Sequence, residues 1–116
     1  MKSTDQFSEI YLYRHPVDMR KYRNGLCAVV HTEMGVASFG KALFIFANKK
    51  RDIIRFIYWD ETGFALWTKT LERQKYRWPK NMFKNPSLLV NHSQLTNLLL
   101  GMDISSHKKL EFKKIF

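Results

Sequence analysis

Apolar residues fall along this chain in two rhythms, one of strands and one of helices. Glu9 to Tyr13 is short, aromatic and β-prone, and Pro16 ends it by steering His15 away from helical backbone angles. Asp18 stands where a helix N-cap would. Beyond it Met19, Tyr22, Leu26, Val29, Val30 and Met34 recur at a spacing that places them on one face of a helix running from about Asp18 to Met34. Gly25 interrupts that helix at a cost of about 1 kcal/mol against alanine, either admitting a close neighbour or marking a weak point.

Gly35 and Gly40 bracket a loop, after which KALFIFA (41–47) and DIIRFIYWD (52–60) have strand composition. The turn between them, Asn48-Lys49-Lys50-Arg51, predicts a hairpin with a positively charged tip. Asp60-Glu61-Thr62-Gly63 is a second turn signal, with a positive φ expected at its glycine, so that GFALWTKTL (63–71) returns as a third antiparallel strand. Ile54, Phe56 and Tyr58 alternate with Ile53, Ile57 and Trp59, with Arg55 among the latter, as in a sheet covered on one face and partly on the other.

LERQKYRWP gives a turn and a short strand near Tyr76 to Trp78, stopped by Pro79; after a polar loop (80–87), Leu88 to Val90 is expected at a sheet edge. Asn91 and Gln94 have capping-box spacing and open a helix from about His92 to Leu100, lined by Leu95, Leu98, Leu99 and Met102 and ended with the help of Gly101. The basic tail, 105–116, is expected to be weakly ordered. These elements predict a single α+β domain over residues 1–104, a mainly antiparallel sheet of four or five strands packed by two helices.

Composition then limits size and partner. At 116 residues and 45% hydrophobic content, the chain has material for one core and not for a second. Twenty Lys and Arg against ten Asp and Glu leave a net charge of +10, which makes a polyanion the first partner to consider. Cys27 is the single cysteine, so no intramolecular disulfide and no cysteine-based zinc site can form. MKSTDQFSEI lacks the apolar stretch of a secretory leader, and the longest apolar run, Ala42 to Ala47, falls well short of the about 20 residues of a membrane span. A cytoplasmic setting without membrane association is expected.

The carboxylates Asp18, Glu33, Asp52, Asp60, Glu61, Glu72 and Asp103 are scattered and several have local turn or cap roles, so a catalytic metal cluster is not expected. Cys27 and His31 share a helical face, but a pair of ligands does not make a structural site, and Cys27 is as well explained as a small buried hydrophobe. No glycine-rich phosphate loop is present, and no cofactor is implied. What stands out is basic and aromatic interleaving. Lys69, Arg73, Lys75, Arg77, Lys80 and Lys84 surround Tyr76 and Trp78, with Glu72 the one acid among them, a pattern suited to phosphate contacts and stacking. Trp59, Trp67 and Trp78 are each expected in the core first, which leaves the charges as the better sign of binding.

The run PVDMRK (16–21) with Gly25-Leu26, then GKALFIFANKKRDIIRFIYWDETGFALWTKTLERQKYRWP (40–79) and SQLTNLLLGMD (93–103), resembles a known family. It is the small accessory protein, often called TnpB, encoded by the second reading frame of insertion sequences of the sixty-six family. The resemblance covers roughly residues 9 to 103, and the motifs keep the family's order and spacing; the chain departs from its pattern at Tyr22, Arg23 and Asn24 and at Ile104. It implies a protein encoded beside a separate DDE-type transposase, supporting transposition without a catalytic triad of its own.

The combined expectation is a non-enzymatic accessory protein that holds DNA through phosphate contacts from Arg20, Lys21, Arg23, Lys49, Lys50, Arg51, Arg73, Lys75 and Arg77. Its partners would be DNA and the transposase or other element-encoded proteins. The first alternative is a protein–protein adaptor for the transposase. The last is a metal-dependent nuclease, which would need Asp18, Asp52 or Asp60.

Overall fold

The computed structural model describes residues 6–21, 23–32, 34, 40–72, 75–78 and 86–100. Its elements run β1 (Glu9–Tyr13), α1 (Arg23–Thr32), β2 (Ala42–Ala47), β3 (Ile53–Asp60), β4 (Gly63–Thr70), β5 (Ser87–Val90) and α2 (His92–Leu99). The strands form one five-stranded sheet in the order β4-β3-β2-β1-β5.

Short turns join β2 to β3 and β3 to β4 as antiparallel hairpins. β1 lies parallel to β2, a pairing that no tight turn can make, and α1 supplies the crossover. β5 returns antiparallel on the far side of β1. The architecture is α+β with a mainly antiparallel five-stranded sheet, as expected, and the parallel β1–β2 pairing makes it a mixed one.

β2 is buried at all of its six positions because helices cover both faces of the sheet. Phe44 and Phe46 join Leu26, Val29 and Val30 of α1, together with Tyr13, Val17 and Ile57. Leu43, Ile45 and Ala47 face the other way, toward Leu95 and Leu98 of α2 and toward Tyr76 and Trp78. Removing each large side chain from water contributes about 2 kcal/mol, so the paired layers around β2 hold the molecule together.

The sequence misplaced several features. α1 begins at Arg23 and not near Asp18, because the Asp18 carboxylate accepts the Arg20 N–H at 2.9 Å and the Asp18 carbonyl accepts the Lys21 N–H at 2.9 Å. Those bonds close a tight turn ahead of the helix. A Cβ on Gly25 would meet the Lys21 side chain at 3.2 Å, so the glycine makes room for this turn to fold back on α1. In the β3–β4 hairpin the positive φ falls on Glu61 (53°), since Gly63 is already paired with Asp60 in the strand register.

Tyr76 to Trp78 is not a strand. The segment is extended and docked by single bonds, with the Tyr76 N–H on the Arg51 carbonyl at 2.7 Å. Of the tryptophans expected in the core, Trp78 is buried, whereas Trp59 and Trp67 are 41% and 47% exposed. The expected edge strand and capped helix are both present, as β5 and α2. Met102, Gly101, the loop at 80–85 and the basic tail at 105–116 lie outside the described residues.

Candidate nucleic-acid interface

Backbone pieces from distant parts of the sequence converge at the carboxyl ends of β1, β2 and β4. The β2–β3 turn is locked by Asn48, whose Oδ1 accepts the N–H of Asp52 at 3.1 Å and of Ile53 at 3.0 Å while its Nδ2 donates to the Asp52 carboxylate at 2.7 Å. That lock holds Lys49 and Lys50 exposed at the tip. Ahead of α1, the Val17 N–H bonds to the Ala47 carbonyl at 2.9 Å. Arg55, buried on β3, donates to the carbonyls of Met19 at 2.8 Å and Lys21 at 2.6 Å and to Thr68 Oγ1 at 3.0 Å. An open cleft of about 400 Å³ runs between these pieces, walled by Val17, Asp18 and Met19 on one side and Asn48, Lys49 and Lys50 on the other.

The third piece is 75–78. Trp78 sends its indole N–H to the Tyr13 carbonyl at 2.9 Å, and Tyr76 is bound to Arg51, so both rings point inward. Lys75 and Arg77, between and before them, are exposed. An alternation that suggested a strand therefore serves to anchor two rings and present two cations.

The expected contact residues are not equivalent. Lys21, Lys49, Lys50, Lys75 and Arg77 are exposed around this end, and Arg23 is exposed at the start of α1 with its Nε 3.3 Å from Asn24 Oδ1. Arg20 is exposed but paired with Asp18 at 2.6 Å; its guanidinium and its backbone N–H together hold the Asp18 carboxyl down at a pKa of about 2. Arg51 is committed to the fold. It takes a left-handed backbone (φ 63°), donates Nη2 to the Arg14 carbonyl at 3.1 Å and lies over the Trp78 ring at 5.7 Å, and burial pulls its pKa below the usual arginine value. Arg73 lies outside the described residues.

One residue that the sequence reading placed in the core, Trp67, stands exposed beside this region, on the same strand as Lys69, one of the cations expected on the phosphate-binding face. Trp67 pairs with Phe56 and Lys69 with Ile54, which places both on the face of the sheet that α2 covers, the side on which Tyr76 and Trp78 are buried and from whose segment Lys75 and Arg77 are exposed. The period-two register of β4 was the available signal, but its face could be assigned only once Phe56 and Ile54 were known to face α2. At the opposite end of the sheet stand the exposed acids Glu9, Asp60 and Glu61, with Lys41 among them.

Asp18 and Asp52 lie at the basic end, far along β3 from Asp60. Among the described residues no group of three or more His, Cys, Asp or Glu is placed to hold a metal ion. Burial raises the Cys27 thiol pKa, the opposite of what an activated nucleophile needs. Among the described residues no helix is long and apolar enough to cross a membrane.

Residues 8–109 match the family model described as IS66 Orf2 like protein. The chain belongs to the IS66 Orf2-like family. The resemblance drawn from its motifs is thereby established. Two proteins of Sinorhizobium fredii (strain NBRC 101917 / NGR234), both described as uncharacterised, are similar to it. One, y4jC, is 32% identical over 105 residues, covering 90% of this chain and 88% of its own. The other, y4hO, is 25% identical over 103 residues, covering 89% and 88%. No solved structure matches the chain. In this IS66 Orf2-like chain the motif PVDMRK builds one wall of the cleft, and ANKKRD builds the other.

Proposed function

We propose that this IS66 Orf2-like chain is a non-enzymatic accessory protein of insertion-sequence transposition that holds DNA through phosphate contacts at the carboxyl ends of β2 and β4. The observation that supports this reading is the imbalance of charge along the sheet: at one end the exposed Lys21, Lys49, Lys50, Lys69, Lys75 and Arg77 outnumber Asp18, Asp52 and Glu72, and at the other Glu9, Asp60 and Glu61 outnumber Lys41. Fixed turns hold these cations on a rigid frame, which favours a defined footprint over a diffuse attraction.

The test is binding to labelled duplex carrying the element's terminal repeats, across about 50 to 200 mM salt. Contact with about five phosphates gives roughly a 500-fold loss of affinity over that range. Changing Lys49, Lys50, Lys75 and Arg77 together to alanine is expected to flatten the slope. No binding at the lowest salt overturns the reading, and so does an unchanged slope in the variant.

A second reading, an adaptor that docks on the transposase, is favoured by β4, an eight-residue edge strand whose outer side no strand covers among the described residues. The adaptor reading predicts weak DNA affinity that is indifferent to Arg77.

A further inference from the structure

The three tryptophans occupy different settings. Trp78 is buried and hydrogen-bonded through its indole N–H. Trp59 packs edge-on against Phe64, ring centroids 5.1 Å apart, on α1's side of the sheet and next to the acidic turn at Asp60 and Glu61. Trp67 is 47% exposed and has neither a ring partner nor a hydrogen bond among the described residues. It stands on the edge strand, facing α2's side.

Trp67 also differs in its electrostatic surroundings. Lys69 projects from the same face of the same strand, about 7 Å farther along it, toward the end where Lys75 and Arg77 are exposed. Glu72, also exposed, is the acid of this stretch, so the local balance stays positive. An open aromatic face with cations on one side of it is the arrangement that binds a single strand, the base stacking on the ring and the phosphates pairing with the cations. A duplex cannot use the ring, because its bases are already stacked on one another.

We propose that this face selects single-stranded over duplex DNA, an unpaired base stacking on Trp67 while Lys69, Lys75 and Arg77 hold the adjoining phosphates. The proposal rests on the DNA-holding reading above and adds to it the form of the DNA. Trp59, on the opposite face and beside carboxylates, takes no part.

The test compares a labelled single strand of about 15 nucleotides with its blunt duplex, by fluorescence anisotropy on the full chain at matched salt. Tighter binding of the single strand is expected, and Trp67→Ala is expected to weaken it about tenfold while leaving duplex affinity unchanged; Trp67→Phe, which keeps a ring, retains most of the affinity. Should the alanine variant fail to fold, tryptophan emission in Trp59→Phe protein gives a second measure. Trp67 is then the exposed fluorophore, so quenching by the single strand and not by the duplex supports stacking, and equal quenching overturns it. Equal affinity for both forms, or a Trp67→Ala variant indistinguishable from wild type, overturns the proposal but leaves the DNA-holding reading standing. Failure of both forms to bind removes that reading as well.

Discussion

Arg55 and Arg77 have the same side chain and opposite uses. Arg55 is buried and spreads its fork over two carbonyls and a threonine hydroxyl, tying the turn before α1 to β3 and β4; Arg77 is exposed beside a buried ring. A lysine ammonium cannot reproduce the fork. Arg55→Lys is therefore expected to cost about 2–3 kcal/mol, a fall of roughly 10 °C in melting temperature, whereas Arg77→Lys should stay within about 0.5 kcal/mol of wild type by the same measurement. Asp18 gives a pH signature. Its pKa is depressed to about 2 by Arg20, so the stability it contributes is present above its unfolded value of about 3.9 and disappears as pH falls through about 2. Asn in its place keeps the acceptor for the Arg20 N–H but not the charge. Melting curves of wild type and Asp18→Asn should accordingly differ at neutral pH and converge near pH 2.

At the scale of elements, α2 shows how much a local rule can decide. Asn91 accepts the Gln94 N–H at 2.8 Å and Gln94 returns the bond to the Asn91 N–H at 2.9 Å, the capping box that the sequence spacing predicts. Asn91→Ala is expected to cost about 1 kcal/mol, seen as a lower denaturation midpoint with an unchanged slope. The strands β2, β3 and β4 were legible for a similar reason, since turn residues at fixed positions separate runs of strand composition. What failed depended on partners distant in sequence. Lys75 to Trp78 has the outward-inward alternation of a strand, but its partners are the Arg51 and Tyr13 carbonyls, which no local period reveals. The parallel placement of β1 beside β2 was equally hidden, because a sequence pattern gives faces and not neighbours. For the candidate site, the cations could be read from composition, while their sorting into exposed Lys49 and Lys50, paired Arg20 and inward Arg51 came from the turn geometry.

For the whole molecule, a net charge of +10 makes salt act in opposite directions on folding and on binding. Self-repulsion weakens as ions screen it, so the melting temperature of the free protein should rise by several degrees between low and high salt, while affinity for DNA falls steeply over the same range. A melting temperature that drops with salt would show instead that attractive pairs dominate the surface. The sheet order has a further consequence, for the sequence of events in assembly. β2, β3 and β4 can close on one another as soon as they leave the ribosome, whereas β1, synthesised earlier, has to wait for β2 and then for β5. β5 is hydrogen-bonded to β1 and to no other strand among the described residues. The first strand made is thus the last joint closed, and a chain begun beyond Tyr13 would leave β5 without a strand partner among the described residues and α2 held only by its packing on β2 and β3, loosening the cover of one face of the sheet instead of merely shortening an end.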